Sequence, residues 1–576
     1  MSDQVRQQIA DILAAKAAFS AAQKKVNANL LFQAKSARGD LAATSFASAI
    51  GAATSDAQGR VEVDISGDAN QIVSRVQALG GTVLSSFPRY NAVRASMPLQ
   101  NVEALAGDAS VRAVSPADQM QLSVGALTSQ GYISHKAKEV VTNVGLTGAG
   151  VKVGVLSDSA TAARITALQG TGDLGPGTSV IPGQNSTGTD EGTAMMEIVQ
   201  DLAPGAQIYF ATANGGQAQF ATNIAALAAA GCKIIVDDVS YFAEAAFQDG
   251  TVAQAVNTFV AGGGLYFSSA ANSGNLTNGT SGTWEGDFLS GGAITGPIAT
   301  AGETGLVHNF GTAGSPQNFN VLTTASRNIS LKWSDPLGAS TNDYDVFILN
   351  AAGTTLKGFS AAVQNGTQDP VEFVQLPASG GNSAATNDQV VVVLFSGATR
   401  ALRVDTHRGV LSIKTDGSTY GHNGGPNTVT VAAVGWNSAK TGTKPFVGGA
   451  ANPTETFSSD GPRKMFYNSN GTPITPGNLL FATSGGTTFA KPDISAADGV
   501  STKTPGFNPF FGTSAAAPHA AGIAALVWSA NPSLTNAQVL ACMKNTALDI
   551  RAPGVDRDSG SGIVMALAAV QACQQQ

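Results

Sequence analysis

The chain has little charge. Asp, Glu, Lys and Arg make up 12% of its 576 residues, about half the usual share for a soluble protein. Its 32 basic and 39 acidic residues leave a net charge of −7. No basic block stands out, so the electrostatic footprint of a nucleic-acid binder is absent. No apolar run reaches the roughly eighteen residues a transmembrane helix requires, and none is expected. Cysteine is scarce. Cys232, Cys542 and Cys573 cannot make a disulfide scaffold. A single Cys542–Cys573 bridge and three reduced, buried thiols are both open readings. The N-terminal stretch MSDQVRQQIADILAAKAAFSAAQKKVNANLLFQ lacks the apolar core of a signal peptide and reads as an amphipathic helix. What the chain has in quantity is apolar residues, 43%, and glycine, 67 residues. That composition excludes a disordered chain, and the length suggests about three or four domains.

Four regions differ in pattern. Residues 1–58 read as helix followed by loop. Residues 59–120 carry, in order, VEVDI, ANQIVSRVQALGG, TVLSSF, AVRASMP, LQNVEALAGD and VRAVSPA. This is a βαββαβ order in about sixty residues, the split-βαβ pattern. From Val151 the runs VKVGVL, QIYFATA, KIIVDDVS and GLYFSSA alternate with helical stretches, which predicts a parallel sheet covered by helices. Residues 281–424 are strands and turns only and predict a β-sandwich inserted into that domain. The α/β pattern resumes at TVTVAAVGW. The α/β domain is thus expected over 140–280 and 425–576.

The sharpest chemical signal is FGTSAAAPHAAGIAAL, residues 511–526. A Gly-Thr-Ser turn opening a helix of small residues puts Ser514 where free backbone N–H groups and the helix dipole favour negative charge. Taken alone, Ser514 is a helix N-cap. Taken whole, the string resembles the nucleophile motif of the subtilisin-like serine peptidases, the subtilases. VKVGVLSDS resembles their aspartate strand, EGTAMMEIVQDLAPGAQI their histidine segment, and YFSSAANSG the segment whose oxyanion asparagine falls on Asn272. FSSDGP, KPDISA and ALDIRAPGVDRDSGSG match further strings in the right order. The resemblance implies a subtilisin-like catalytic domain, an inhibitory propeptide-like α+β domain over 59–120, and a zymogen cleaved near 118–140. It also implies a serine endopeptidase acting on proteins or peptides.

Two positions depart from the family. Glu191 stands where subtilases carry histidine, and none of the five histidines (135, 308, 407, 422, 519) is equivalent. His519, on the nucleophile helix, reads as structural. Glutamate here resembles the sedolisins, acid-active relatives with a Ser-Glu-Asp triad, although their second carboxylate falls on Met195. The aspartate is shifted as well. Ser157 takes its place and Asp158 follows by one, where a bulge at the strand end could re-aim it. Asp158 is therefore the expected partner of Glu191, with Asp238 in IIVDDVSY the rival. Asp190 is a third candidate whose simpler role is a helix N-cap. Two close carboxyl groups share one proton over a wide pH range and can serve as general base and acid. The expected catalytic set is Asp158, Glu191 and Ser514, with Asn272 in the oxyanion hole and no catalytic metal.

In the insert, Asp343 and Asp345 could offer oxygen ligands to calcium, but alternating acidic residues on an exposed strand are more often solvated. Calcium is the one cofactor these residues suggest. The rival reading is an inactive, peptidase-like binding module, motivated by the absent histidine; an esterase would use the same residues. Low charge and the family resemblance suit an extracellular enzyme, whereas the absence of a signal peptide does not.

Overall fold

Asn27 decides where the N-terminal helix begins. Its Oδ1 accepts the N–H groups of Asn29 and Leu30 at 3.1 and 3.3 Å, which caps α1 (Ala28–Ala37). The computed structural model describes residues 18–39, 55–56, 58–117, 120–121, 129–293, 305–438 and 444–574. The single amphipathic helix expected from the first residue is therefore corrected in part. Residues 18–27 hold a short 3-10 turn at Gln23–Lys25 rather than a continuation of α1, and residues 1–17 lie outside the described residues.

Residues 60–116 fold in the order read from the sequence: β1 (Arg60–Gly67), α2 (Ala69–Ala78), β2 (Thr82–Phe87), β3 (Ala92–Pro98), α3 (Val102–Ala106) and β4 (Val111–Pro116). The sheet order is β2-β3-β1-β4, all antiparallel. Val61, Val63 and Ile65 alternate inward along β1 against Ile72 and Val76 of α2. A two-residue strand, β5 (Met120–Gln121), follows.

The apolar runs after Val151 build a seven-stranded parallel sheet. Its members are β6 (Lys152–Ser157), β7 (Ser179–Val180), β8 (Gln207–Thr212) and β9 (Ile234–Asp237). After the short β10 (Ser240–Tyr241) come β11 (Leu265–Ser269), β12 (Val429–Gly435) and β13 (Ile494–Asp498). The order is β13-β12-β11-β9-β6-β8-β7. Helices α4 (Glu191–Leu202), α5 (Gly216–Ala229), α6 (Thr251–Ala261) and α7 (Thr513–Ala530) cover its faces. Helix α7 is buried from Thr513 to Trp528. Its alanines and Gly522 let it lie against α4 and across the sheet, beside β9, β11, β12 and β13. The disulfide Cys542–Cys573 joins α8 (Asn536–Asn545) to α9 (Ala566–Gln574), and Cys232 is a buried free thiol.

Between β11 and β12 the chain makes two facing antiparallel sheets. One runs in the order Thr283–Asp287, Ala401–Asp405, Asn328–Trp333, Val371–Gln375; the other centres on Gln389–Ser396, paired with Asp343–Leu349. Trp333, Tyr344, Val346, Val392 and Val404 fill the space between them. On the outer face, Phe32 of α1 meets Phe359 with ring centres 6.1 Å apart. The N-terminal segment therefore packs on the sandwich. Asp343 and Asp345 do not lie on an exposed strand as expected; both are buried. Among the described residues, no group of three or more His, Cys, Asp or Glu side chains is placed to hold a metal ion.

The spacing of α4 and α7 depends on Gly522, where a Cβ would meet the Cβ of Leu202 at 2.9 Å. Neither atom can swing aside. Gly522→Ala is expected to destabilise the chain by about 1–3 kcal/mol in chemical denaturation; an unchanged midpoint would mean that the helices have room to spare.

Candidate active site

Ser514 is the second residue of α7, just inside a helix N-terminus. The turn before it is anchored by Asp498 at the end of β13, whose Oδ2 accepts the Gly512 N–H at 3.0 Å. Burial and the nearby Glu455 hold the Asp498 carboxyl well above its ordinary range. Ser514 is buried, and its hydroxyl has no hydrogen-bond partner among the described residues.

Asn272 lies against the same turn. Its Oδ1 accepts both the Thr513 N–H, at 3.1 Å, and the Thr513 hydroxyl, at 2.8 Å. Fixing the oxygen end of the amide orients its NH2 end as the donor. Ala271, just before it, has φ of 74°, a strained value for a residue with a Cβ and one that recurs at functional sites. The string FSSDGP holds this loop. Ser459 N–H donates to the Ala271 carbonyl at 2.9 Å, the Ser459 hydroxyl accepts from Ser273 N–H at 2.9 Å, and Asn275 Nδ2 donates to the Ser458 carbonyl at 3.1 Å.

Glu191 is the first residue of α4 and is fully buried. Asp190 precedes it in a left-handed conformation, φ 66°. Its side chain does not cap the helix, contrary to expectation. It accepts from Thr161 N–H at 3.3 Å and lies 3.6 Å from the Arg164 guanidinium.

Asp158 meets Glu191 at its backbone N–H. One of its oxygens accepts the N–H of Ser159 and, at 3.0 Å, the N–H of Glu191; the other accepts the N–H of Thr189 and its hydroxyl at 2.8 Å. The structure brings the expected Asp158 to the backbone N–H of Glu191. Three donors at the entrance to α4, with the Ser159 N–H, hold the Asp158 carboxylate in place.

The carboxyl that faces Glu191 belongs to Asp238, immediately after β9. Strands β6 and β9 pair in parallel with Leu156 opposite Asp237, so Ser157 and Asp238 come next on either side. Asp238 lies against both Glu191 and the Ser157 hydroxyl. Two facing carboxyl groups form a hydrogen bond only when one carries a proton. Burial pushes Asp238 up to about 8; the nearness of Glu191 and Ser157 works against this, and the charges of Asp158 and Asp237 add to it. Arg408, in the sandwich loop after Asp405, has a guanidinium that acts on Glu191. Met195, one turn beyond Glu191, is buried in the core.

His519 makes its hydrogen bonds to the Ala515 carbonyl, at 2.7 Å, and the Ser129 hydroxyl, and burial pushes it down to about 4. The sequence reading missed Asp498 and Arg408. The first ends a strand as an ordinary acidic residue, and the second lies 217 positions from Glu191.

A family model described as the subtilase family matches residues 177–562, two-thirds of the chain. The match takes in Glu191, Asn272 and Ser514 and begins after Asp158. Alkaline elastase YaB of Bacillus sp. (strain YaB) is 45% identical over 75 residues, 13% of this chain; the chain matches only 19% of that protein's length. Among solved structures, the CspB protease of Clostridium perfringens aligns with a TM-score of 0.47 at 12% identity, over 77% of this chain and 99% of that one. Fervidolysin from Fervidobacterium pennivorans, described as a keratinolytic enzyme related to subtilisin, aligns with a TM-score of 0.39 at 14% identity, over 90% of this chain and 62% of that one.

The Asp238 proton has a consequence for stability. Its carboxyl, raised from 3.8 to about 8 on folding, binds a proton more tightly in the folded chain than in the unfolded one. The stability linked to that proton is full below about pH 4 and is lost as pH rises towards 8. Asp238→Asn keeps a neutral hydrogen-bonding group there. It is expected to melt above the wild type at pH 8 and to show no such gain at pH 4.

Proposed function

The chain belongs to the subtilase family, and on that premise we propose that it is a serine-type peptidase in which the carboxyl pair Glu191–Asp238 does the work of the usual imidazole. The observation that carries this reading is the grip of Thr513 on Asn272, directly beside Ser514. It orients a side-chain NH2 beside the Ser514 N–H, a companion donor for an oxyanion. A site without acyl-transfer chemistry has no need of both.

The steps follow from the groups present. The pair holds one proton and one negative charge. Its ionised carboxylate accepts the Ser514 proton as Oγ attacks the scissile carbonyl, and the carbonyl oxygen becomes an anion held by Asn272 Nδ2 and the Ser514 N–H. Collapse of this intermediate breaks the C–N bond, and the pair returns the proton to the leaving amine. Water then attacks the acyl-enzyme along the same path, giving the acid product and free Ser514. Asp158 is a positioning residue, fixing the start of α4 and hence the Glu191 backbone. Protein or peptide chains are the substrates, and the Glu-for-His exchange is the sedolisin-like feature of the site.

We further propose that the full-length chain is a zymogen with the domain division read from the sequence. Strand β5, which follows the 60–116 domain, pairs antiparallel with β10: Gln121 lies opposite Ser240 and Met120 opposite Tyr241. Strand β10 begins two residues after Asp238, so β5 occupies an edge beside the carboxyl pair, as an extended substrate would.

Ser514→Ala and Glu191→Gln are each expected to reduce kcat on a peptide substrate by on the order of 10⁴-fold or more. Wild-type activity should fall as pH rises through about 8, where the pair loses its last proton; an optimum above about pH 9 would rule out this base. Incubated full-length chain should shorten at the 118–140 linker, and Ser514→Ala should not. Equal trimming of both would show that another peptidase does it.

A further inference from the structure

His422 has no part in the steps above, yet its ring is enclosed between two carboxyl groups, one of them joined in the chain to Asp238. It is fully buried, as are Asp237 and, to within 1%, Glu244. Its Nδ1 lies 2.8 Å from Glu244 Oε2 and its Nε2 3.2 Å from Asp237 Oδ1. Its backbone N–H also donates to Glu244 Oε1 at 2.8 Å. Both ring nitrogens thus face carboxylate oxygens, which only accept. A neutral imidazole can donate from one nitrogen alone and would turn a bare lone pair towards the other carboxylate. With both carboxyl groups ionised, the geometry fits the doubly protonated, cationic ring. Two surrounding carboxylates push the ring the same way, up to about 10, against the opposing effect of burial.

The neighbours of this ring lead back to the candidate active site. Asp237 ends β9 and is joined in the chain to Asp238. Besides His422, its Oδ1 accepts Val239 N–H at 3.0 Å and the Ser268 hydroxyl of β11 at 2.9 Å. The Tyr266 hydroxyl of β11 lies beside the same carboxylate. Asn423, next to the ring, donates to the carbonyls of Val239, at 2.8 Å, and Ser269, at 3.1 Å. There is no slack for another side chain, since a Cβ on Gly421 would come within 2.6 Å of Glu244 Oε2. The GHN stretch at 421–423 therefore fastens the ends of two central strands, one carrying Asp238 and the other leading to Asn272.

We propose that His422 is a buried imidazolium that acts as a positioning residue for the Glu191–Asp238 pair, holding Asp237 and setting the pH range over which the pair keeps a single proton. The inference rests on the catalytic reading of that pair. The ionisable groups facing the pair are Asp158 from the end of β6, Asp237 from β9 and Arg408 from the sandwich loop. Those facing the ring are Asp237 and Glu244, with Tyr266 beside Asp237. With the ring cationic, the Glu244–His422–Asp237 group carries one net negative charge. With the ring neutral it would carry two, and the added charge would make the pair hold its protons more tightly.

The test is the pH dependence of kcat/KM for full-length protein that has undergone its own processing. His422→Gln removes a buried positive charge and should move both limbs of the profile upward by on the order of one pH unit. Glu244→Gln removes a negative charge and should move them downward. Ser268→Ala removes a hydrogen bond from Asp237 but no charge, and should leave the limbs where they are even if stability falls. A merely structural role predicts loss of activity in all three with unshifted limbs; that result, or shifts of one sign in both charge variants, would overturn the proposal. Should His422→Gln fail to fold, ring-nitrogen NMR of the Ser514→Ala chain carries the test. Both His422 nitrogens should stay protonated above pH 8, and titration near the ordinary value of about 6.5 overturns the proposal. This readout needs no turnover. A cationic ring in a chain whose wild type cleaves no peptide would refute the catalytic reading and leave the His422 assignment standing.

Discussion

Everything at the base of this cleft follows from the difficulty of burying carboxyl groups together. Asp158, Glu191, Asp237, Asp238 and Glu244 are all nearly inaccessible to water, and isolated ionised carboxylates in such a place would be prohibitively unfavourable. The structure meets the difficulty in three ways. Asp158 is surrounded by N–H and hydroxyl donors from the entrance to α4. Asp237 and Glu244 flank the His422 ring. Asp238 lies beside Glu191, and burial together with the charges of Asp158 and Asp237 pushes its carboxyl up to about 8.

The other half of the site is built by backbone rather than charge. Asp498 fixes the turn before Ser514, Thr513 fixes the oxygen of Asn272, and the FSSDGP string fixes the strained loop around Ala271. The last two contacts join segments 241 and 186 residues apart, because the sandwich is inserted between β11 and β12. The insert is not a bystander. Its loop after Asp405 brings Arg408 towards Glu191, and its outer face receives α1 through Phe32 and Phe359. The N-terminal segment is therefore tied to the sandwich, while β5, after the 60–116 domain, pairs with β10.

Much of this was legible in the residues. The apolar runs at VKVGVL, QIYFATA, KIIVDDVS and GLYFSSA became neighbouring strands because an uninterrupted apolar run suits a strand covered on both faces. The βαββαβ order survived intact because each of its strands and helices shows its own period. Ser514, Asn272 and Glu191 stood out through local strings. The N-terminal helix was read as too long, because periodicity could not show that the Asn27 side chain would take the N–H groups that start a new helix.

Local order along the chain determined which elements form and which side chains stand at their ends. It could not determine which carboxyl meets Glu191. Asp158 and Asp238 each follow a buried strand, and the choice depends on the parallel register of β6 with β9, which brings Ser157 and Asp238 alongside one another. Register is a relation between segments eighty residues apart, decided by how two apolar strands pack between the same helices. For the same reason His422 looked like one more unassigned histidine until folding closed Glu244 and Asp237 around it.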